Sequence, residues 1–177
     1  MQYISHYQSP LGDILLAADE IGLTGLWFEG QKYFALYLDQ EHEEKEVPVL
    51  EQTKKWLDVY FSGREPDFTV PFHFIGTDFQ NQVWEILAAI PYGQTTTYGE
   101  IAKQLAAKWG LKRMSAQAVG GAVGHNEISI LVPCHRVVGA NGSLTGYAGG
   151  IDKKVALLKL EGAYKEEYFV PKHSTAP

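Results

Sequence analysis

Ser115-Ala116-Gln117-Ala118-Val119-Gly120-Gly121-Ala122-Val123-Gly124 is almost entirely small residues, so a helix starting at Ser115 would have a backbone slim enough to pack closely against another surface. Upstream, Thr77-Asp78-Phe79-Gln80 and Thr97-Tyr98-Gly99-Glu100 each match the capping box, in which side chains satisfy the first free amides of a helix. The helix after Thr77 turns Phe79, Val83, Trp84, Ile86, Leu87 and Ile90 inward and stops at Pro91-Tyr92-Gly93. The next carries Ile101, Leu105 and Ala106 and frays near Trp109-Gly110. Helix, short turn and small-residue helix is the order of a helix-turn-helix, although many helical hairpins share it. Nucleic-acid binding and a plain hairpin both remain open on this pattern.

Beyond this segment lies Leu131-Val132-Pro133-Cys134-His135-Arg136-Val137-Val138, which holds the one cysteine of the chain. A single cysteine makes no internal disulfide, leaving an inert core thiol, a nucleophile, or a metal ligand short of partners. The apolar run from Ile128 to Val132 is broken by Pro133, which lacks a backbone donor and ends a strand. The thiol is therefore expected at the mouth of the core, with an imidazole beside it.

Working back to the start, Tyr3 to Tyr7, Asp13 to Ala18 and Gly22 to Glu29 read as short strands separated by Ser9-Pro10-Leu11-Gly12 and Asp19-Glu20-Ile21-Gly22 turns, an antiparallel meander. A polar run from Asp39 to Glu46, including His42, reads as a solvated loop. Pro48 to Phe61 has apolar residues at helical spacing and ends at Ser62-Gly63. Pro66 to Gly76 reads as a linker. No apolar run approaches the roughly 18 residues of a membrane span, and the first residues lack the basic and apolar regions of a signal peptide. A cytoplasmic protein with no membrane association is expected. The formal charge is −6 over 177 residues. It is uneven: residues 1–75 carry five Lys/Arg and thirteen Asp/Glu, whereas 76–177 carry ten and eight, so a polyanion should meet the second half. Ordinary surface variation would explain the same asymmetry. His6, His73, His125 and His173 are scattered and read as structural or surface groups, with no metal site expected.

Pro133-Cys134-His135-Arg136-Val137, preceded by Asn126 and followed by Gly146-Tyr147-Ala148-Gly149-Gly150, resembles the signature of the O6-alkylguanine-DNA alkyltransferases, the methylated-DNA--protein-cysteine methyltransferase family. The resemblance runs from about Phe79 to Gly162 and includes Tyr98, Ala118-Val119-Gly120-Gly121 and Glu161-Gly162; residues 1–75 share only the family's general character. It implies an α+β fold: a ribonuclease-H-like α+β domain over 1–75, a mainly helical, winged-helix-like domain with a helix-turn-helix over 76–165, and a mobile tail over 166–177. The implied activity is direct-reversal DNA repair by a monomer without cofactor, moving an alkyl group irreversibly from O6-alkylguanine, and by extension O4-alkylthymine, in double-stranded DNA to Cys134. A cysteine hydrolase using Cys, His and Glu is the alternative.

Removing an alkyl group from an oxygen calls for a soft nucleophile, and a thiol of ordinary pKa needs a base to become one. The family pattern makes His135 that base, through a water, and Glu161 its carboxylate partner. Glu161 would also end a helix from Asp152, where the dipole disfavours an anion, while a plain surface Glu before Gly162 is the simpler reading. Adjacent residues on an extended segment point apart, so the pairing of Cys134 with His135 requires a turn or short helix at Pro133 to Arg136. By resemblance, Asn126 is the hinge that ties the recognition helix to the cysteine loop, and Tyr98 donates to a guanine ring nitrogen; a turn Asn and a capping residue are the alternatives. The base must leave the stack to be reached. Tyr147 with the backbone of Ala148 and Gly149 would wall the pocket, the carbonyls of Cys134 and Val137 would accept from the exocyclic amine, and Ser115, Gln117, Ala118 and Arg136 complete the implied DNA-contacting set. Gln117 stands where the pattern has an arginine that fills the gap left by the base, and Ala148 where a serine is common.

Overall fold

In the computed structural model, which describes residues 1–36 and 38–171, the expected meander is formed by β1 (Gln2–Ser9), β2 (Gly12–Ala18) and β3 (Leu23–Phe28). β1 and β2 pair antiparallel from Ser9 opposite Gly12 out to Tyr3 opposite Ala18. Gly12 turns the hairpin at φ +122°, a conformation other residues rarely adopt. Ile14 through Ala18 are all buried, so both faces of β2 are covered. One cluster joins Leu15, Ala17 and Trp27 with Ile4, Ala35 and Leu38, and α1 (Pro48–Phe61) packs against β1 to β3. α1 has Pro48 in its first turn, where its missing N–H has no helical partner to lose, and ends at Ser62 and Gly63.

Two expectations in this region need correcting. The charged run around His42 is not simply a loop: β4 (His42–Glu44) pairs in parallel with β1, giving the sheet order β3-β2-β1-β4. Its side chains stay exposed, and a charged edge strand that discourages further pairing lacks the apolar alternation that announces a strand. Nor is 66–76 only a linker. Leu23 N–H donates to Pro71 O at 2.8 Å and His73 N–H to Leu23 O at 2.8 Å, while Val70 is buried. The chain divides into two compact units, Met1–Ile75 with Glu127–Ser129, and Gly76–Asn126 with the chain from Ile130 onward. Within the first unit Leu26 N–H donates to Glu127 O, Ser129 N–H to Leu26 O, and Trp27 Nε1–H to Glu127 Oε2 at 2.7 Å.

The second unit begins with α2 (Asp78–Ala88), whose capping box is complete: Gln80 N–H donates to Thr77 Oγ1 and Thr77 N–H to Gln80 Oε1. α3 (Tyr98–Lys108) is capped by Thr97 alone, because Glu100 lies 3.4 Å from Lys103 rather than reaching back. Gly110, at φ +68°, and Leu111 then close α3 with bonds to Ala107 O and Ala106 O, the bond pair of a Schellman ending. α4 (Ala116–Gly124) starts at Ser115 as the sequence indicates, with Ser115 Oγ accepting from Ala118 N–H. Two short strands, β5 (Thr96–Thr97) and β6 (Val137–Val138), pair in parallel and bring the segment after the cysteine beside the start of α3. α5 (Ile151–Leu160) closes the unit.

Residues 166–171 were expected to begin a mobile tail, but Tyr168 and Phe169 are held. Tyr168 packs with Val138, Leu144, Leu158 and Ala163, and its hydroxyl lies 2.8 Å from Thr95 Oγ1. Leu144 N–H donates to Phe169 O at 2.8 Å. An aromatic ring with a core to fill outweighs the freedom of a chain end. The remainder of that tail, with His173, lies outside the described residues.

Candidate active site

Pro133 adopts φ −83°, ψ 68°, an inverse γ-turn, and Cys134 N–H donates to Val132 O at 2.8 Å. Cys134–Arg136 then form one turn of 3-10 helix, with Arg136 N–H on Pro133 O. This is the turn that the adjacency of Cys134 and His135 requires. Just before it, Ile130 is buried in the left-handed region at φ +71°, strain of about 1–3 kcal/mol that a β-branched residue sustains only when its surroundings fix it.

The turn sends the two side chains to different neighbours. Cys134 is 6% exposed and joins Tyr98, Gly120, Val123, Gly124, Gly146, Tyr147 and Ala148 in lining a narrow pocket. His135 is fully buried: Nε2 lies 2.6 Å from Glu161 Oε2, and Nδ1 has no protein partner among the described residues. Burial pulls the imidazole pKa below its ordinary value, favouring the neutral ring, while Glu161 pulls the other way. Burial pushes the Cys134 thiol up, while a hydrogen bond from Asn126 and the charge of Lys154 act the other way.

Glu161 is no surface residue. As the C-cap of α5 it is buried and accepts from His135 Nε2, from Arg136 Nε at 2.8 Å and Nη2 at 3.1 Å, and from Gly93 N–H at 3.2 Å. Burial raises its pKa, but His135 and Arg136 together hold it well below the carboxylate range. Arg136 must therefore be moved out of the DNA-contacting set. It is 6% exposed, its third donor group meets Ile90 O at 2.6 Å, and its guanidinium lies over the Tyr92 ring. A planar fork that matches a carboxylate so well is used up inside the protein.

The other expected residues distribute as follows. Asn126 is buried and donates to Val132 O at 2.8 Å as well as to Cys134, so it holds the approach to the turn from both sides. Tyr98 borders the pocket with its hydroxyl bonded to Thr145, and burial raises its pKa. Tyr147 sets its ring edge-on to His135 at 6.4 Å, and Ala148 lines the pocket. Gly149 is half-exposed and outside that lining. Ser115, Gln117 and Ala118 are exposed at the start of α4. Val137 is wholly buried, and its carbonyl already accepts from Lys154. His125 bonds back to Gly121 O, and His73 to Asp19.

Lys154 is the residue that sequence reasoning missed. Its ammonium is fully buried and donates to Val137 O at 2.7 Å and Gly146 O at 3.1 Å. Burial drops its pKa to about 8, opposed only by the charge of Cys134. The signal was there: Lys154 falls between Ile151, Leu157 and Leu158 on the inward stripe of α5.

The family model for the ribonuclease-like domain of 6-O-methylguanine DNA methyltransferase matches residues 2–74, and that for its DNA-binding domain matches residues 78–163. This chain belongs to that family. A methylated-DNA--protein-cysteine methyltransferase of Methanosarcina acetivorans is 45% identical over 91% of this chain and 99% of its own. The same-named protein of Mycobacterium tuberculosis is 45% identical over 88% of this chain and 92% of its own. The crystal structure of the M. tuberculosis O6-methylguanine methyltransferase aligns with a TM-score of 0.77 and 42% identity over 92% of this chain and 94% of that one, and one of its structures is a complex with DNA. The α+β fold, with a sheet domain followed by a mainly helical domain, is thus that of the methyltransferase family. No helix among the described residues is long and apolar enough to cross a membrane.

Proposed function

We propose that the chain repairs DNA by moving the alkyl group of O6-alkylguanine in double-stranded DNA onto Cys134 Sγ, once per molecule. The observation that carries this is one 3-10 turn that sets a thiol on a pocket wall and the next side chain, His135, on a buried carboxylate. His135 Nδ1, aimed into the interior without a protein partner, takes the thiol proton through a water. The thiolate attacks the alkyl carbon, an S–C bond forms, the C–O6 bond breaks, and guanine regains a proton in place of the alkyl group. Tyr98 donates toward the guanine ring as the electron pair of the broken C–O6 bond builds negative charge on it. Lys154, the cation acting on Cys134 from within the fold, favours the thiolate.

Asn126 and Arg136 position the turn and the carboxylate; Tyr147, Ala148 and Gly149 receive the base. Gln117, Ser115 and Ala118 face the DNA, Gln117 occupying the gap left by the base without adding charge. Cys134 O remains the carbonyl for the exocyclic amine, with Val137 O shared with Lys154. O4-alkylthymine presents the same carbon-on-oxygen chemistry. The chain acts as a cytoplasmic monomer. A cysteine hydrolase, which would pass through a thioester that water opens, is not favoured, because the relatives at 45% identity are methylated-DNA--protein-cysteine methyltransferases.

Mixing the protein with duplex DNA containing O6-methylguanine should add the mass of one methyl group, in place of hydrogen, to the peptide carrying Cys134. The repaired guanine should match the protein in moles. An unmodified peptide beside intact lesion would refute the proposal, and multiple turnovers would favour the hydrolase.

A further inference from the structure

α4, whose exposed start carries Ser115, Gln117 and Ala118, contains no charged residue at all. DNA affinity is dominated by phosphate neutralisation, so the cations have to come from elsewhere in the unit. From Ile101 to Asn126 the chain has Lys103, Lys108, Lys112 and Arg113 and not one Asp or Glu. All four are exposed. Three of them, Lys103, Lys112 and Arg113, line one groove between α3 and α4 whose other walls are small or apolar, among them Gly99, Ala102, Ala106 and Ala116. Gly110 turns the chain in the left-handed region directly after α3, and Leu111 N–H locks that turn onto Ala106 O, which delivers Lys112 and Arg113 back to the groove. The acid beside them is Glu100, 3.4 Å from Lys103. Lys112 and Arg113 make no ion pair among the described residues.

We propose that this groove is a backbone track for one DNA strand, and that the connector from Leu111 to Met114 supplies the electrostatic affinity that α4 lacks. The inference rests on the DNA-repair reading above. It divides the labour within the unit: the uncharged α4 approaches the bases closely, and the connector holds phosphates irrespective of sequence. The small residues of the groove floor leave the phosphates room, and Lys112 and Arg113, which make no ion pair among the described residues, are left to meet them.

The test is the salt dependence of binding to an undamaged duplex, with methyl transfer from O6-methylguanine DNA measured in parallel. Each phosphate contact contributes about −0.9 to the slope of log affinity against log salt, so the double variant Lys112→Gln/Arg113→Gln should flatten that slope by about 1.8. Between 50 and 200 mM salt, the parent should then lose about 12-fold more affinity than the variant. Lys165→Gln, an exposed cation away from the groove, should leave the slope unchanged, and Lys112→Arg should retain it. The rate of transfer to Cys134 at saturating DNA should be equal in all four proteins. An unchanged slope in the double variant, with transfer intact, overturns the connector track and leaves the repair reading standing. Flattening in the double variant alongside a parent that transfers no methyl group overturns the repair reading instead, and equal flattening by Lys165→Gln would show diffuse charge rather than a track.

Discussion

Glu161→Gln probes the buried network at its centre. The carboxylate accepts from His135 Nε2, two nitrogens of Arg136 and Gly93 N–H. The amide keeps one acceptor oxygen and turns the other into a donor, so at least one contact becomes donor against donor. The Arg136 guanidinium is left buried without its anion, and breaking a buried pair from one side costs about 3–5 kcal/mol. For a chain of this size, at about 2–4 °C per kcal/mol, the Tm should fall by about 6–20 °C. His135 also loses the acceptor that fixes its tautomer and favours its cation, so single-turnover methyl transfer should slow by about 10²–10⁴, the usual range for a lost general base. Acid sensitivity should change with a definite sign. Glu161 has a folded pKa below its unfolded 4.5, so its stabilisation is complete above that value and drains away as the pH falls below it. The variant should therefore have a shallower loss of stability below about pH 4.5 than the parent. Thermal unfolding across pH and quenched-flow transfer on the same preparations read both effects. Adding Arg136→Met should recover much of the stability, since removing both charges is far cheaper than stranding one, but not the rate. A Glu161→Gln protein within about 1 kcal/mol of the parent, or a double variant no more stable than the single, would refute the account.

Lys154→Met should remove a pH dependence. A folded pKa of about 8 against 10.5 unfolded means that the parent gains stability as the pH rises between these values, by up to about 3 kcal/mol, and the difference between the two proteins should follow that curve in urea titrations; a constant difference from pH 7 to 10 would contradict it. Asn126→Ala takes one of two donors from the Val132 carbonyl, which keeps Cys134 N–H, and removes the side-chain donor to the Cys134 thiol, so it should cost about 1–3 kcal/mol and slow alkylation of Cys134 by iodoacetamide. Gln117→Arg places a cation on the uncharged α4, and tighter binding to lesion DNA with a salt slope steeper by about 0.9 is expected; unchanged affinity would mean that this position does not meet DNA.

Much of the fold is legible in the sequence alone. Strong local signals located the meander, α1 with its Pro48 start, the Thr77 capping box and the Ser115 start of α4, because each is decided within a few residues of backbone hydrogen bonding. Cys134, His135 and Glu161 were picked out with the family pattern's help, and the need for a turn at Pro133 followed from strand geometry alone. β4 escaped because its exposed charges carry no alternation, and β5 and β6 because two-residue strands leave no pattern to read. The hold on Tyr168 depends on a pocket assembled from Val138, Leu144 and Leu158, which are distant in sequence.

By itself, then, the sequence determined which elements form and which single thiol is available, since capping, periodicity and composition act over short range. Only the tertiary structure decided what charge each buried group carries and whom it serves. Arg136 looked like a DNA contact until its three donor groups were seen to be spent on Glu161 and Ile90, and Lys154 looked like one more helix lysine until the fold closed over it beside Cys134. Desolvation and ion pairing depend on everything packed around a group, and that environment is assembled from residues far apart in the chain.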